Sequence, residues 1–123
     1  MCRPLLVQVY DSSEWYLKLM ELQFKTWDVA CVQVFNDRCR LIDSLAYHSP
    51  DVLVMEWVDE SVYIDDLVGL FRSLDNKIKL VFLGAGLKSS SKLNEVHCIE
   101  KNDHTFHAIR GILKTYSNSL QGL

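Results

Sequence analysis

The sequence predicts an α/β fold in which a five-stranded parallel sheet is covered by helices on both faces, a doubly wound architecture. Two observations support it: the apolar runs are short and nearly continuous, and segments with helical apolar spacing alternate with them. Parallel strands that are buried on both faces read as unbroken apolar runs, and each is followed by a crossover, usually a helix. The 123 residues are enough for one such domain.

The first strand-helix unit occupies the start of the chain. Leu5 to Val9 is an apolar run that predicts the first strand. Asp11 and, three residues later, Glu14 have the spacing of a capping box, so we predict a helix from Ser13 to Trp27 with Asp11 as its cap.

The second unit repeats this pattern. Val29 to Phe35 is rich in β-branched residues and predicts a strand. Asn36 and Asp37 then begin a helix, which Pro50 ends. The apolar residues expected on one face of this helix are Leu41, Ile42, Leu45 and Ala46.

The third unit begins with Asp51 to Trp57, an apolar run interrupted by Glu56. A polar turn separates this strand from the third helix, in which apolar residues recur at i, i+3, i+4 and i+7. Those residues are Leu67, Leu70, Phe71 and Leu74.

Two further strands, Ile78 to Leu83 and Val96 to Ile99, precede the last helix. Only residues 84–95 lie between these strands, close to the minimum for a crossover, so we expect a shortened, distorted or absent fourth helix. The last helix is expected to bury Phe106, Ile109, Leu113 and Tyr116.

Five such units predict a flavodoxin-like fold with strand order 2-1-3-4-5. In this fold ligands bind at the carboxyl ends of the strands, beside the switch point between the first strand and the third. The residues at that edge are therefore the candidates for function.

Composition excludes several classes of function. The net charge is -3, with no basic stripe, which argues against nucleic-acid binding. No apolar run reaches the roughly 18 residues of a membrane span, and no signal peptide is recognisable, so we expect a cytoplasmic protein. The cysteines form no CxxC pair and suit reduced, mostly buried thiols; they are Cys2, Cys31, Cys39 and Cys98.

Four segments of the sequence resemble a known family. They are VYD after the first strand, PDVLVMEW at the third, VFLGA at the fourth and CIEKN after the fifth. From Leu5 to Tyr116 the chain is similar to the receiver domains of two-component response regulators, the CheY-like family.

The resemblance implies a site at the switch edge. In that family an acidic pair binds magnesium, an aspartate accepts a phosphoryl group, and a hydroxyl and a lysine contact the phosphoryl oxygens. The corresponding residues here are Tyr10 and Asp11 for the pair, Glu56 for the acceptor, Gly84 for the hydroxyl and Lys101 for the lysine. Only Asp11 and Lys101 fit the family pattern.

The departures indicate a degenerate pocket. Magnesium prefers carboxylates and waters in octahedral geometry, so Tyr10 weakens the metal site, although the sequence leaves weak binding at Asp11 and Glu56 open. In-line phosphoryl transfer needs the acceptor placed to within about an ångström, and Glu56 is one methylene too long. The aromatic residue with which receivers couple the hydroxyl to the fifth strand is replaced by Cys98.

Several side-chain roles stay open at this stage. Glu56 either extends its carboxylate to where a phosphoryl oxygen would lie, pairing with Lys101 to fix one conformation, or forms with Lys101 a partly solvated ion pair of about 0 to 1 kcal/mol. Asp11 is expected mainly to cap the first helix. The Gly-rich stretch from Gly84 to Ser91 lacks the spacing of a phosphate-binding loop.

The sequence therefore predicts a receiver-like domain over residues 1–118, followed by a polar tail or the start of a linker at 119–123. We expect no enzyme activity and no cofactor, and a regulatory role through a protein partner or a second copy, with the last helix as the dimerisation surface. Such domains often precede a DNA-binding output domain. The alternative is a magnesium-dependent phosphoryl acceptor on an atypical residue, Asp59 or Asp65; a small flavodoxin-like ligand-binding domain is the third hypothesis.

Overall fold

The sheet of the computed structural model has the predicted topology. The structure describes residues 5–27, 30–56, 64–74, 77–84 and 96–121. Five parallel strands lie in the order β2-β1-β3-β4-β5. The strands are β1 (Leu5–Tyr10), β2 (Ala30–Phe35), β3 (Val52–Glu56), β4 (Lys79–Leu83) and β5 (Val96–Ile99).

Four helices are described. The predicted boundaries are close to those observed, because the apolar runs and the polar turns between them mark the ends of elements. The helices are α1 (Glu14–Lys25), α2 (Arg38–Tyr47), α3 (Ile64–Leu74) and α4 (Thr105–Gln121).

The cap of α1 differs from the prediction. Ser13 is the N-cap, and its hydroxyl accepts a hydrogen bond from the Tyr16 amide at 3.2 Å. Asp11 lies two residues earlier, and its Oδ1 accepts from the Ser13 amide at 2.9 Å. The assignment of Asp11 as cap was wrong because a second capping residue follows it, which leaves the other carboxylate oxygen of Asp11 available to the sheet edge.

Two apolar clusters cover the two faces of the sheet. One joins α1 and α4 to the sheet and contains Met20, Phe24, Ile109 and Leu113, all of them 0% exposed. The other joins α2 and α3 to the opposite face through residues such as Leu41 and Phe71. This two-sided burial explains the near-continuous apolar strands.

Some predicted core positions lie at the surface. In α2, Leu41 and Leu45 are buried, but Ile42 is 40% exposed and Ala46 is also exposed. In α3, Phe71 is buried whereas Leu70 and Leu74 are 42% and 43% exposed. The helical period predicted which face of each helix is apolar, and the width of the contact with the sheet decided how much of that face is covered.

Some predictions fall outside the described residues. These are the fourth helix between β4 and β5, most of the Gly-rich stretch, the side chains of Asp65 and Leu67, and Trp57, Asp59 and Cys2. Helix α4 continues through Ser119 to Gln121, past the predicted domain boundary at 118. None of the helices in the described part of the chain is long and apolar enough to cross a membrane.

Candidate functional site

The carboxyl ends of four adjacent strands form the candidate site. Asp11 follows β1, Glu56 is the last residue of β3, Gly84 follows β4 and Lys101 lies two residues after β5. The strand order puts these four ends side by side. Residues separated by as many as 90 positions in the chain thereby meet at one edge of the sheet.

The ammonium group of Lys101 lies between two carboxylates. Its Nζ is 2.7 Å from Oδ2 of Asp11 and 3.4 Å from Oε1 of Glu56. The same nitrogen lies 4.3 Å from the centroid of the Tyr16 ring, within the range of a cation–π interaction. Lys101 is therefore held by two negative charges and an aromatic face.

Glu56 has a second and shorter set of contacts, with Ser12. Its Oε2 accepts hydrogen bonds from the Ser12 amide and from the Ser12 hydroxyl, both at 2.7 Å. The contact of its other oxygen with Lys101 is longer by comparison. The main anchor of Glu56 is thus the loop after β1, and the main partner of Lys101 is Asp11 rather than Glu56.

This cluster of charges is largely removed from water. Asp11 is 0% exposed, Glu56 is 7% exposed, and the Lys101 side chain is 26% exposed. A buried charge is tolerated when it is paired and hydrogen-bonded, and here each carboxylate has both a cation and an amide donor. Both interpretations of Glu56 from the sequence paired it with Lys101 alone. The structure adds Asp11 as the second carboxylate bound to this lysine.

The pKa values of the three groups shift in the directions that these contacts dictate. Burial raises the pKa of Asp11 and is only partly offset by Lys101 and the Ser13 amide. Burial also acts to raise the pKa of Glu56, but the two Ser12 hydrogen bonds and Lys101 outweigh it and lower that pKa. Burial acts to lower the pKa of Lys101, and the two carboxylates more than compensate, so that it is raised. The lysine therefore remains charged.

A hydrogen-bonded turn holds the backbone on either side of Lys101. Thr105, which is 1% exposed, donates its hydroxyl to the Glu100 carbonyl at 2.9 Å and accepts from the Asn102 amide at 2.8 Å. The Asn102 side chain accepts from the His104 amide at 2.7 Å. This turn joins β5 to the first turn of α4 and fixes the point from which the lysine side chain starts.

The remaining predicted site residues do not join the charge cluster. The Tyr10 ring packs in the apolar cluster on the α2 and α3 face, with the Arg38 guanidinium carbon 5.7 Å from its centroid. The Gly84 amide donates to the Ile99 carbonyl at 3.1 Å, so it extends the pairing of β4 with β5. Cys98 is half-buried against the same apolar cluster as Tyr10, and burial raises its pKa.

The residues present do not fit the magnesium ion that the fold would otherwise suggest. Among the described residues, Asp11 and Glu56 are the carboxylates at this edge, and the Lys101 ammonium binds both of them. Tyr10, at the position of the other acid, is turned into the core. Within the described ranges no three His, Cys, Asp or Glu side chains form a group that could hold a metal ion. A magnesium ion and the Lys101 ammonium would compete for the same carboxylate oxygens.

Sequence reasoning missed two residues of the site. Ser12 anchors Glu56, and Tyr16 places its ring against Lys101 while stacking on Phe106 of α4, with centroids 5.8 Å apart. The position of Ser12 directly after Asp11 was a usable signal, because the loop after the first strand adjoins the switch edge. For Tyr16 the only signal was its place in the first turn of α1.

No protein-family model matches this sequence. No curated protein matches it either.

Solved structures are similar to this chain over nearly its whole length. The receiver domain of a Francisella response regulator has a TM-score of 0.76 at 13% identity, covering 94% of this chain and 98% of that one. A response regulator receiver domain from Bacillus halodurans has a TM-score of 0.74 at 14% identity, covering 90% and 97%. A two component transcriptional regulator AraC from Clostridium phytofermentans has a TM-score of 0.73 at 16% identity, covering 96% and 95%. The chain therefore has the fold of response regulator receiver domains.

Proposed function

We propose that this chain is a regulatory pseudo-receiver, which acts through protein–protein interaction or dimerisation and is not switched by phosphorylation. In this proposal the pocket at the switch edge is a structural ion cluster. The receiver fold is the scaffold that positions it, and the signalling surface lies elsewhere on the molecule. The domain has no enzymatic step of its own.

The observation that carries the proposal is that the charge of Lys101 is already paired with carboxylates of this chain. Its ammonium is bound by Asp11 at 2.7 Å and by Glu56 at 3.4 Å, and the Tyr16 ring covers it. An incoming phosphoryl group would have to displace both carboxylates to reach this charge, and would leave them buried and unpaired. The chain thus supplies internally the negative charge that a phosphoryl group would bring.

The acceptor position supports the same conclusion. Both oxygens of Glu56 are engaged, one with Ser12 and the other with Lys101. A carboxylate that is already fixed by a pair of short hydrogen bonds is a poor nucleophile, because attack requires their loss. The backbone at Gly84 is committed to strand pairing and offers no hydroxyl, and Cys98 gives β5 no aromatic switch residue.

The output of such a domain is a protein contact. One of the similar structures belongs to a two component transcriptional regulator, which supports a role for this domain as the N-terminal regulatory part of a transcriptional regulator. The charge of -3 and the absence of a basic stripe in the sequence argue that any nucleic-acid contact would come from another domain.

Intact-mass spectrometry after incubation with acetyl phosphate and magnesium tests the proposal. We expect no phosphoryl adduct on the native chain. The Glu56→Asp variant tests whether the long side chain is the obstacle, and Glu100→Asp, the same substitution at an exposed position beside the site, is its matched control. A magnesium-dependent phosphoryl adduct on the native chain would contradict the proposal. Mapping of that adduct to Asp59 or Asp65 would establish the alternative of an atypical acceptor.

A further inference from the structure

Helix α1 carries apolar residues on two opposite faces. Its inner face buries Leu17, Met20 and Phe24 against the sheet. On the outer face Trp15 is 72% exposed and Leu22 is 62% exposed.

Leu19, which is half-buried, lies between these two along the helix, so that residues 15, 19 and 22 form one stripe at i, i+4 and i+7. We call Trp15, Leu19 and Leu22 the outer stripe. A helix on the surface of a monomer normally has one apolar face, with polar residues opposite it. An exposed tryptophan on a second apolar face is typical of an interface, because aromatic residues are enriched there.

Four charged residues form a line along one side of the outer stripe. They alternate in sign and are spaced by four, three and four residues, which places them on one side of the helix. They are Glu14, Lys18, Glu21 and Lys25. On a helix that runs in the opposite direction, the order of charges along this line is inverted, and each negative charge lies opposite a positive one. The line is therefore complementary to the same line on an antiparallel copy of the helix.

We propose that the outer stripe of α1 binds a second copy of this chain, with the two α1 helices antiparallel about a two-fold axis. Such an axis brings the same side of each helix face to face. Glu14 then meets Lys25 of the second copy and Lys18 meets Glu21 of the second copy, so that four ion pairs flank the apolar contact. In a parallel pair about a two-fold axis, the two lines of charge would lie on opposite sides of the contact and would form no ion pairs with each other.

A groove beside the stripe adds to the contact. It has a volume of about 500 Å³ and lies between α1 and the edge strand β2, with Leu17, Lys18 and Val34 among its lining residues. In the antiparallel register Leu22 of the second copy lies level with Leu17, next to this groove. The groove offers a concave surface on which a protruding apolar side chain of the partner can pack.

Other surfaces are less suited to the same role. Helix α4, the surface that the sequence suggested, exposes no large apolar side chain among its described residues. Helix α2 exposes Tyr47 by 84%, but as its last residue and without a complementary line of charge. The 12 residues of α1 span only about 18 Å, so the contact is smaller than a standard interface and the dimer exchanges with monomer.

The dimer rests on the proposed function for its role in signalling, whereas its test measures association alone, so the two can fail separately. Sedimentation equilibrium from about 10 μM to about 1 mM spans the range expected of a weak interface. We expect a concentration-dependent dimer of the native chain and a monomer of Leu22→Glu. The matched control Tyr47→Glu, an exposed apolar residue on α2, should associate like the native chain.

Charge reversal tests the antiparallel register. Lys18→Glu and Glu21→Lys each place like charges together twice in a dimer, and each should weaken association about tenfold. In a dimer of one variant with the other, the introduced glutamate meets the introduced lysine at one place, and Lys18 meets Glu21 at the other. An equimolar mixture should therefore restore the native association, which unfolding of either variant could not produce. A native chain that stays monomeric, a dimer indifferent to Leu22→Glu, or a mixture no stronger than its components would overturn the proposal.

Discussion

Lys101 and Asp11 lie 90 residues apart in the chain and are joined by an ion pair of 2.7 Å. The pair closes the edge of the sheet, because it ties the turn after β5 to the loop after β1 across the ends of β3 and β4. Its burial makes the stability of the fold sensitive to any change in charge at either residue.

Removal of the lysine should destabilise the fold. Lys101→Met leaves Asp11 and Glu56 as buried carboxylates without a cation, which should lower the free energy of unfolding at pH 7 by about 2 to 3 kcal/mol. Urea unfolding followed by circular dichroism measures this. Lys114→Met, an exposed lysine on α4, is the control and should change it by less than about 0.5 kcal/mol. Equal stability of Lys101→Met and the native chain would mean that the ion cluster makes no net contribution to the free energy of unfolding.

Loss of the Ser12 hydroxyl should lower the stability of the fold and change the pKa of Glu56. Ser12→Ala removes one of the two hydrogen bonds to Oε2 and keeps the amide bond, so we expect a loss of about 1 kcal/mol. Because those bonds lower the pKa of Glu56, that pKa should rise in the variant. An NMR titration of the Glu56 carboxyl carbon reports it. The exposed Ser119→Ala is the control, and an unchanged pKa in Ser12→Ala would contradict the role of this hydroxyl.

Stability should fall at alkaline pH. The pKa of Lys101 is raised above 10.5, its value in the unfolded chain, so the folded state keeps a proton that the unfolded state releases. The stabilisation is complete below pH 10.5 and is lost as the pH rises through the folded pKa. Burial raises the pKa of Tyr16 above 10.0, which acts in the same direction. Unfolding free energies should therefore decline above about pH 10, where Tyr16 and Lys101 of the unfolded chain begin to lose their protons, and less steeply in Lys101→Met; parallel curves would disprove the assignment.

The ring of Tyr16 should matter more than its hydroxyl. Tyr16→Phe keeps both the face under Lys101 and the stack on Phe106 and loses only the contact of the hydroxyl with Thr105, so it should cost less stability near pH 7 than Tyr16→Leu. Tyr16→Leu loses both ring contacts and should cost about 1 kcal/mol or more. Thermal unfolding compares the two. A larger loss in Tyr16→Phe than in Tyr16→Leu would show that the hydroxyl is the important group.

The polar core residue Gln8 offers a route to higher stability. It is 0% exposed and donates to Gln33 and Ser44, but among the described residues its Oε1 is a buried polar atom with no hydrogen-bond partner. Replacement by the similarly sized Met removes that unsatisfied oxygen, and we expect a change between none and a gain of about 1 kcal/mol. Gln23→Met, at a half-buried position on α1, is the control. A marked loss of stability in Gln8→Met would show that its two donated bonds outweigh the orphaned acceptor.

The order of elements could be predicted from the sequence because it depends on local patterns. Apolar runs bounded by polar turns located all five strands, and β5 has the predicted bounds, Val96–Ile99. The positions of Asp11, Glu56, Gly84 and Lys101 at one edge followed from the parallel topology. The resemblance to receiver domains then indicated which position of the family's phosphorylation site each of these residues corresponds to.

The partners of each side chain could not be predicted, because they depend on distances of a few ångströms between segments far apart in the chain. The sequence allowed Asp11 to cap α1, but Ser13 takes that role and Asp11 binds Lys101 instead. It suggested Glu56 as the partner of Lys101, and the fold places Ser12 closer to Glu56.

The sequence by itself determined the fold class, the strand order and the set of residues at the switch edge, since periodicity and turn chemistry are local. Only the tertiary structure decided that two carboxylates share one ammonium, that the Tyr16 ring covers it, and that α1 turns Trp15 and Leu22 outward. The physical reason is that burial and electrostatic pairing are properties of packed neighbours, which a local pattern does not specify.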